Sequence, residues 1–121
     1  MREAVREVRP AITVLVAENA ARGLRLLQND RHDFAAVLLD LALPDLPGLE
    51  LLMDLRAAAE TKRIPVVVLT RSELDADLWA SYKAGANAYV VKALPGEALV
   101  RQLRLTAEFW CNHNVRVPGL R

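Results

Sequence analysis

The chain has 121 residues, 53% of them hydrophobic and 26% charged, with 16 basic against 15 acidic side chains and a formal net charge of +1. A chain of this length makes one domain and buries roughly two-thirds of its unfolded surface, enough for a core without staples, while the balanced, interspersed charge and the 5% aromatic content exclude the basic footprint and stacking platform of a nucleic-acid binder. Cys111 has no second cysteine to pair with, Asp40 interrupts the longest apolar run well short of the roughly 18 residues of a membrane span, and the first residues lack the apolar stretch of a signal peptide, so a cytoplasmic protein away from membranes is expected.

In chain order, residues 1–8 read as a short helical fragment ended by Pro10. Four apolar runs follow, at residues 12–17, 34–39, 64–69 and 88–91, rich in β-branched residues or Leu and apolar at consecutive positions. Such runs predict strands covered on both faces, as in a parallel sheet flanked by helices. The stretches between them carry helical period. Asn19 is placed to cap a helix over residues 20–29, with Ala20, Leu24 and Leu27 on one face. Gly48, Leu51, Leu52, Leu55 and Ala59 form the stripe of a second helix over residues 48–60, and a third spans residues 73–84 and stops at Gly85, a residue that accepts the left-handed conformation of a C-cap. A fourth spans residues 96–110 with Leu99, Leu103, Ala107 and Trp110 in line; residues 112–121, with Pro118 and Gly119, read as a tail to a domain of residues 1–111.

Glu18, Asp40, Thr70 and Lys92 stand directly after the four runs. Parallel strands would gather them at one sheet edge, the edge at which open α/β sheets bind ligands. Taken singly, a polar residue after a strand usually just ends it. The set resists that reading, because Asp40 lies within an apolar stretch from Ala35 to Pro44, where a carboxylate is costly unless a cation or donor compensates it. Lys92 is an available cation and Thr70 an available donor. Together the three suit nucleophilic attack on phosphorus to give an acyl phosphate whose oxygens the ammonium and hydroxyl hold. No glycine-rich phosphate loop follows a run and no oxidative or hydrolytic set is present, so an enzyme is not expected.

Val37-Leu38-Leu39-Asp40-Leu41-Ala42-Leu43-Pro44-Asp45-Leu46-Pro47-Gly48, then Ile64-Pro65-Val66-Val67-Val68-Leu69-Thr70 and Gly85-Ala86-Asn87-Ala88-Tyr89-Val90-Val91-Lys92, resemble the receiver domain of two-component response regulators over about residues 5–110. The resemblance implies a phosphoacceptor at Asp40, a switch hydroxyl at Thr70, a switch aromatic at Tyr89, a phosphoryl-contacting lysine at Lys92, a backbone carbonyl of Ala42 for Mg²⁺ and a turn glycine at Gly48. The segment Phe109-Trp110-Cys111-Asn112-His113-Asn114-Val115-Arg116-Val117-Pro118 resembles the C-terminal extension of single-domain regulators paired with phytochrome-type histidine kinases.

Two departures from the family pattern matter. By their distance to Asp40, residues 12–17 match the family's second strand, so the first strand and its Mg²⁺-binding acidic pair have no counterpart, and residues 1–9 correspond to a remnant of the first helix. Mg²⁺, the implied cofactor, is left little beyond Asp40 and the Ala42 carbonyl, since Glu18 lies on the wrong strand to substitute. Ala93 stands where the family has a proline in a cis bond after the lysine; a cis bond before Ala93 would cost about 3 kcal/mol, so a trans bond and a displaced loop are expected.

The implied fold is a flavodoxin-like, doubly wound parallel sheet with helices on both faces, truncated to about four strands from the family order 2-1-3-4-5. An open strand edge and an uncovered apolar face then predict a homodimer or higher oligomer. The implied function is a receiver in two-component phosphorelay signalling, taking a phosphoryl group on Asp40 from a sensor histidine kinase, phytochrome-type by its tail, and signalling by protein contacts. The rival is a phosphorylation-independent pseudo-receiver that works by dimerisation or docking. His32 and His113 have no second ligand at metal spacing, and Cys111 reads as an ordinary thiol. Arg101 and Arg104 read as a solvated face, Trp79 and Tyr82 as packing residues, and Pro44 and Pro47 as shaping the loop after Asp40.

Overall fold

The computed structural model describes residues 12, 14–29 and 33–114. Three parallel strands, β1 (Val37–Asp40), β2 (Val66–Thr70) and β3 (Ala88–Val91), form one sheet in that order. The helices are α1 (Ala20–Leu27), α2 (Gly48–Ala57), α3 (Asp75–Ala84) and α4 (Glu97–Glu108), and α4 runs on into a π-helical turn, Phe109–His113.

The consecutive apolar residues of β2 are explained by its central place, since Val66, Val67, Val68 and Leu69 are all 0% exposed. Alternate strand residues feed two cores. Leu39, Val66 and Val68 pack with Ala20 of α1 and Leu51, Leu52 and Leu55 of α2, joined by Leu24, Leu27 and Tyr89. On the opposite face Leu69 packs with Leu103 and Ala107 of α4, joined by Val14, Leu38, Val90 and Leu99. Each fully buried Leu or Val contributes roughly 1.5–3 kcal/mol of transfer free energy. Helices thus cover both faces, as the doubly wound reading requires.

The expected strand count is corrected from about four to three among the described residues. Residues 14–17 are irregular, Val14 packing on the α4 core while Leu15 and Val16 are exposed. A strand exists only as a pairing, and this β-branched run makes none, so propensity alone does not order it. Pro65 delays the start of β2 to Val66, and its carbonyl instead accepts from the N–H of Val37 at 2.8 Å. The helices end earlier than periodicity suggests: α1 at Leu27, α2 at Ala57, with Ala59 exposed beyond it, and α4 at Glu108. The remnant helix at residues 1–9 and His32 lie outside the described residues, as does the tail beyond Asn114.

Trp79 and Tyr82 do not pack inward. Trp79 is 75% exposed, because the inner face of α3 carries the small residues Ser81 and Ala84, Ser81 being wholly buried with its hydroxyl donating to the Asp77 carbonyl. Arg101 is solvated as expected, whereas Arg104 is half-buried and its Nε is buried without a hydrogen-bond partner.

Two charged side chains join the elements. From α2, Arg56 donates to the carbonyls of Gly85 (2.9 Å), Lys62 (3.2 Å) and Ile64 (2.8 Å) and to Asn87 Oδ1 (2.8 Å). Asn87 Oδ1 also accepts from Val66 N–H, and Asn87 N–H donates to the Val66 carbonyl, so the α3–β3 loop is sewn to the start of β2. Gly85 is needed twice over: it sits at φ +110°, and a Cβ there would lie 2.8 Å from Arg56 Cγ. In the β1–α2 loop, the Asp45 carboxylate accepts from the N–H groups of Ala20 (2.8 Å) and Ala21 (3.1 Å), while Asn19 Oδ1 accepts from Arg22 N–H (2.8 Å). The N-terminus of α1 is therefore capped both by its own residue and by the loop that follows Asp40.

Replacing Arg56 by Met keeps its bulk but takes a donor from the carbonyls of Gly85, Lys62 and Ile64, Asn87 Oδ1 keeping its bond from Val66 N–H, and is expected to cost about 2–4 kcal/mol in urea unfolding, with Lys recovering little because one ammonium cannot span them. The amides of Ala20 and Ala21 hold the Asp45 carboxyl below its ordinary value, so the unfolded chain takes up the proton first as pH falls. The stability Asp45 contributes is thus full above the ordinary carboxylate range and is lost on acidification. In thermal melts, the advantage of the wild type over Asp45→Asn is expected at neutral pH and to shrink below about pH 4.

Candidate functional site

In the parallel register Asp40 lies opposite Leu69 and Thr70 opposite Val91, so Asp40, Thr70 and Lys92 arrive at the carboxyl edge of three adjacent strands in steps of one residue, Lys92 two residues beyond the level of Asp40. The Nζ of Lys92 is 2.9 Å from Asp40 Oδ2, spanning the width of β2. Asp40 Oδ1 accepts from the N–H of Ala42 at 2.9 Å, an Asx turn that starts the loop. The loop can fold back because residue 48 is glycine: a Cβ there would lie 2.6 Å from the Asp40 carbonyl oxygen, and Gly48 N–H donates to the Leu41 carbonyl. Ala42, singled out for its carbonyl, is seen here to act through its N–H.

The lysine side chain is 16% exposed and that of Asp40 36%, so the carboxylate is the more accessible of the pair. The backbone of Lys92 is fixed too, its N–H donating to the Thr70 carbonyl at 2.7 Å. Thr70 is buried, with Oγ1 accepting from Ser72 N–H at 3.2 Å.

Tyr89 lies on β3 opposite Val68 of β2. It packs on the α1–α2 face of the sheet, and its hydroxyl donates to the Ser72 carbonyl at 2.9 Å. Ser72 was not singled out by the sequence, yet it joins the site to α3: its hydroxyl donates to the Asp77 carboxylate and accepts from Leu74 N–H. The legible signal was a serine just ahead of a helix whose first turn carries acidic residues. Glu18 is exposed beside the Asn19 cap. The peptide bond before Ala93 is trans.

Among the described residues no three His, Cys, Asp or Glu side chains group to hold a metal ion. Asp40 supplies one carboxylate with both oxygens engaged, and Asp45 is committed to α1. Mg²⁺ keeps several waters and binds through one or two carboxylates, and at this edge the described residues bring Asp40, whose oxygens an ion would have to share with Ala42 N–H and Lys92. What the arrangement offers by itself is a solvent-facing oxygen nucleophile beside a fixed cation.

The family model of the response regulator receiver domain matches residues 1–104. FilR2 of Methanothrix harundinacea is 42% identical over 83 residues, covering 69% of this chain and 53% of its own, and the response regulator Rcp1 of Synechocystis sp. is 39% identical over 74 residues, covering 61% and 50%. The chain thus matches about half the length of these two curated relatives. The crystal structure of the Mn²⁺-bound form of Rcp1 superposes with a TM-score of 0.79 at 28% identity, covering 95% of this chain and 89% of that one. That of the phosphorylated cyanobacterial phytochrome response regulator RcpA superposes at 0.82 with 26% identity, covering 97% and 89%. With its parallel sheet, its helices on both faces and the matched residues 1–104, this chain belongs to the response regulator receiver domain family.

Proposed function

We propose that this chain is a receiver in two-component signalling that takes a phosphoryl group on Asp40 from a sensor histidine kinase. The observation that carries the reading is the Lys92 ammonium 2.9 Å from a half-exposed Asp40 at the carboxyl edge of the sheet. A carboxylate oxygen attacks phosphorus, the bond from phosphorus to the donor's leaving group breaks with its electron pair, and an acyl phosphate results. Lys92, already beside that oxygen, then faces the added negative charge, and Thr70 is the hydroxyl within the same edge. Drawing Thr70 toward that charge competes with its bond from Ser72 N–H, and Tyr89, anchored on Ser72, follows the loop; the exposed face of α3 is the output. The protein acts through protein contacts in the cytoplasm rather than as an enzyme. The likeness to Rcp1 and RcpA supports a phytochrome-type kinase as donor.

The rival, a phosphorylation-independent interaction module, is favoured by one observation: both oxygens of Asp40 are already engaged. Intact mass after incubation with acetyl phosphate, with and without Mg²⁺, separates the two. One phosphoryl addition, lost in Asp40→Asn, is the expected result. A requirement for Mg²⁺ would mean that an ion is held at Asp40 with its shell completed by water or by donors outside the described residues, and no addition in either arm overturns the reading in favour of the module. The outer edge of β1 carries no strand among the described residues, so light scattering at tens of micromolar is expected to show a dimer or larger species; a monodisperse monomer would refute the oligomer.

A further inference from the structure

We infer that Gln102 of α4 is a positioning residue for Lys92, holding the chain on both sides of the lysine so that its ammonium meets Asp40. This rests on the reading of Asp40 as the reacting group and adds the residue that aims its cation.

In the three-strand order β3 is an edge strand. The N–H of Lys92 points inward, to the Thr70 carbonyl of β2. Alternation along an extended chain therefore turns the Val91 carbonyl and the Ala93 N–H outward, to the side where no further strand pairs among the described residues. The Gln102 side chain meets both: Nε2 donates to the Val91 carbonyl at 2.7 Å and Oε1 accepts from Ala93 N–H at 2.9 Å. One amide bonding residues that flank a third reproduces the hydrogen-bond pattern of a parallel neighbour strand. Lys92 is thereby gripped from β2 through its own N–H and from α4 through the residues on either side.

The grip is firm because α4 is firm. Leu103, next to Gln102, is 1% exposed and Ala107 8%, both seated on Leu69 of β2. The clasp also depends on residue 93 being other than proline, since a proline has no N–H to give and would leave Oε1 without its donor. Ala93 and Gln102 are thus a matched pair. The bonds made by Gln102 reach the carboxylate only through Lys92, which is what makes it a positioning rather than a catalytic residue.

The test uses the full chain with isotope-labelled lysine, followed at the Cε and Nζ resonances, alongside phosphoryl addition from acetyl phosphate read by intact mass. Asp40→Asn marks the Lys92 resonance of the broken pair. Gln102→Leu, which removes both bonds at similar bulk, is expected to move Lys92 to that position and to slow phosphoryl addition about tenfold. Gln102→Glu keeps the acceptor for Ala93 N–H and loses the donor to Val91, and is expected to lie between the two. An unmoved Lys92 resonance in either folded variant overturns the inference, even where the melting temperature falls, because a purely structural glutamine would lower stability without releasing the ion pair. Should the wild type take no phosphoryl group at all, the Asp40 reading fails, while the Lys92 resonance still decides the role of Gln102.

Discussion

Parallel pairing around one wholly buried strand is the constraint from which the site follows. Because β1, β2 and β3 run the same way in a near-level register, the first polar residue after each apolar run is delivered to the same edge. An antiparallel arrangement of the same strands would send Asp40 and Thr70 to opposite ends. The free energy that enforces the arrangement comes from the side chains of β2, buried on both faces, so the geometry of the site is set by the core rather than by attractions among its own groups.

Those attractions are modest in energy. The Asp40 side chain is 36% exposed and that of Lys92 16%, so water reaches the pair and its strength lies between that of surface and of buried ion pairs. A pair of that strength fits a switch: it holds two groups in contact in one state and yields when a more highly charged anion is built on the carboxylate. The surrounding loops are tied to the helices by hydrogen bonds of single residues. Asp45 ties the loop after Asp40 to α1, Ser72 ties the loop after Thr70 to α3 and Tyr89, and Gln102 ties the loop after Lys92 to α4. Each strand end is thus answerable to a different helix. Such an arrangement lets a local change of charge be felt across the fold, and it explains why so many of the chain's specific hydrogen bonds lie within a few residues of the site.

The apolar runs and their spacing were sufficient to read an alternating α/β chain, the parallel sense of its strands, the four helices and the polar residues at the strand ends. These are local signals: consecutive β-branched residues mark double-sided burial, helical stripes mark covered faces, and Gly85 marks a C-cap that the φ of +110° bears out. Patterning was a poor guide where a feature depends on a neighbour. Residues 14–17 have the composition of a strand and no ladder, and Trp79 has the character of a core residue on a helix whose inner face is filled by Ser81 and Ala84.

Of the long-range bonds, that of Lys92 to Asp40 across 52 positions was legible as a cation available to a carboxylate in apolar surroundings, whereas others had no signature in the chain: Arg56 finds Gly85 and Asn87 about thirty positions away, and Asp45 finds Ala20 and Ala21. Order along the chain and the apolar period settle which residues can form elements and which faces those elements bury, because hydrophobic burial is indifferent to the identity of the partner. Which donor meets which acceptor is decided by the packed fold, because a hydrogen bond demands a distance and a direction that exist only after helices and strands have been brought into register.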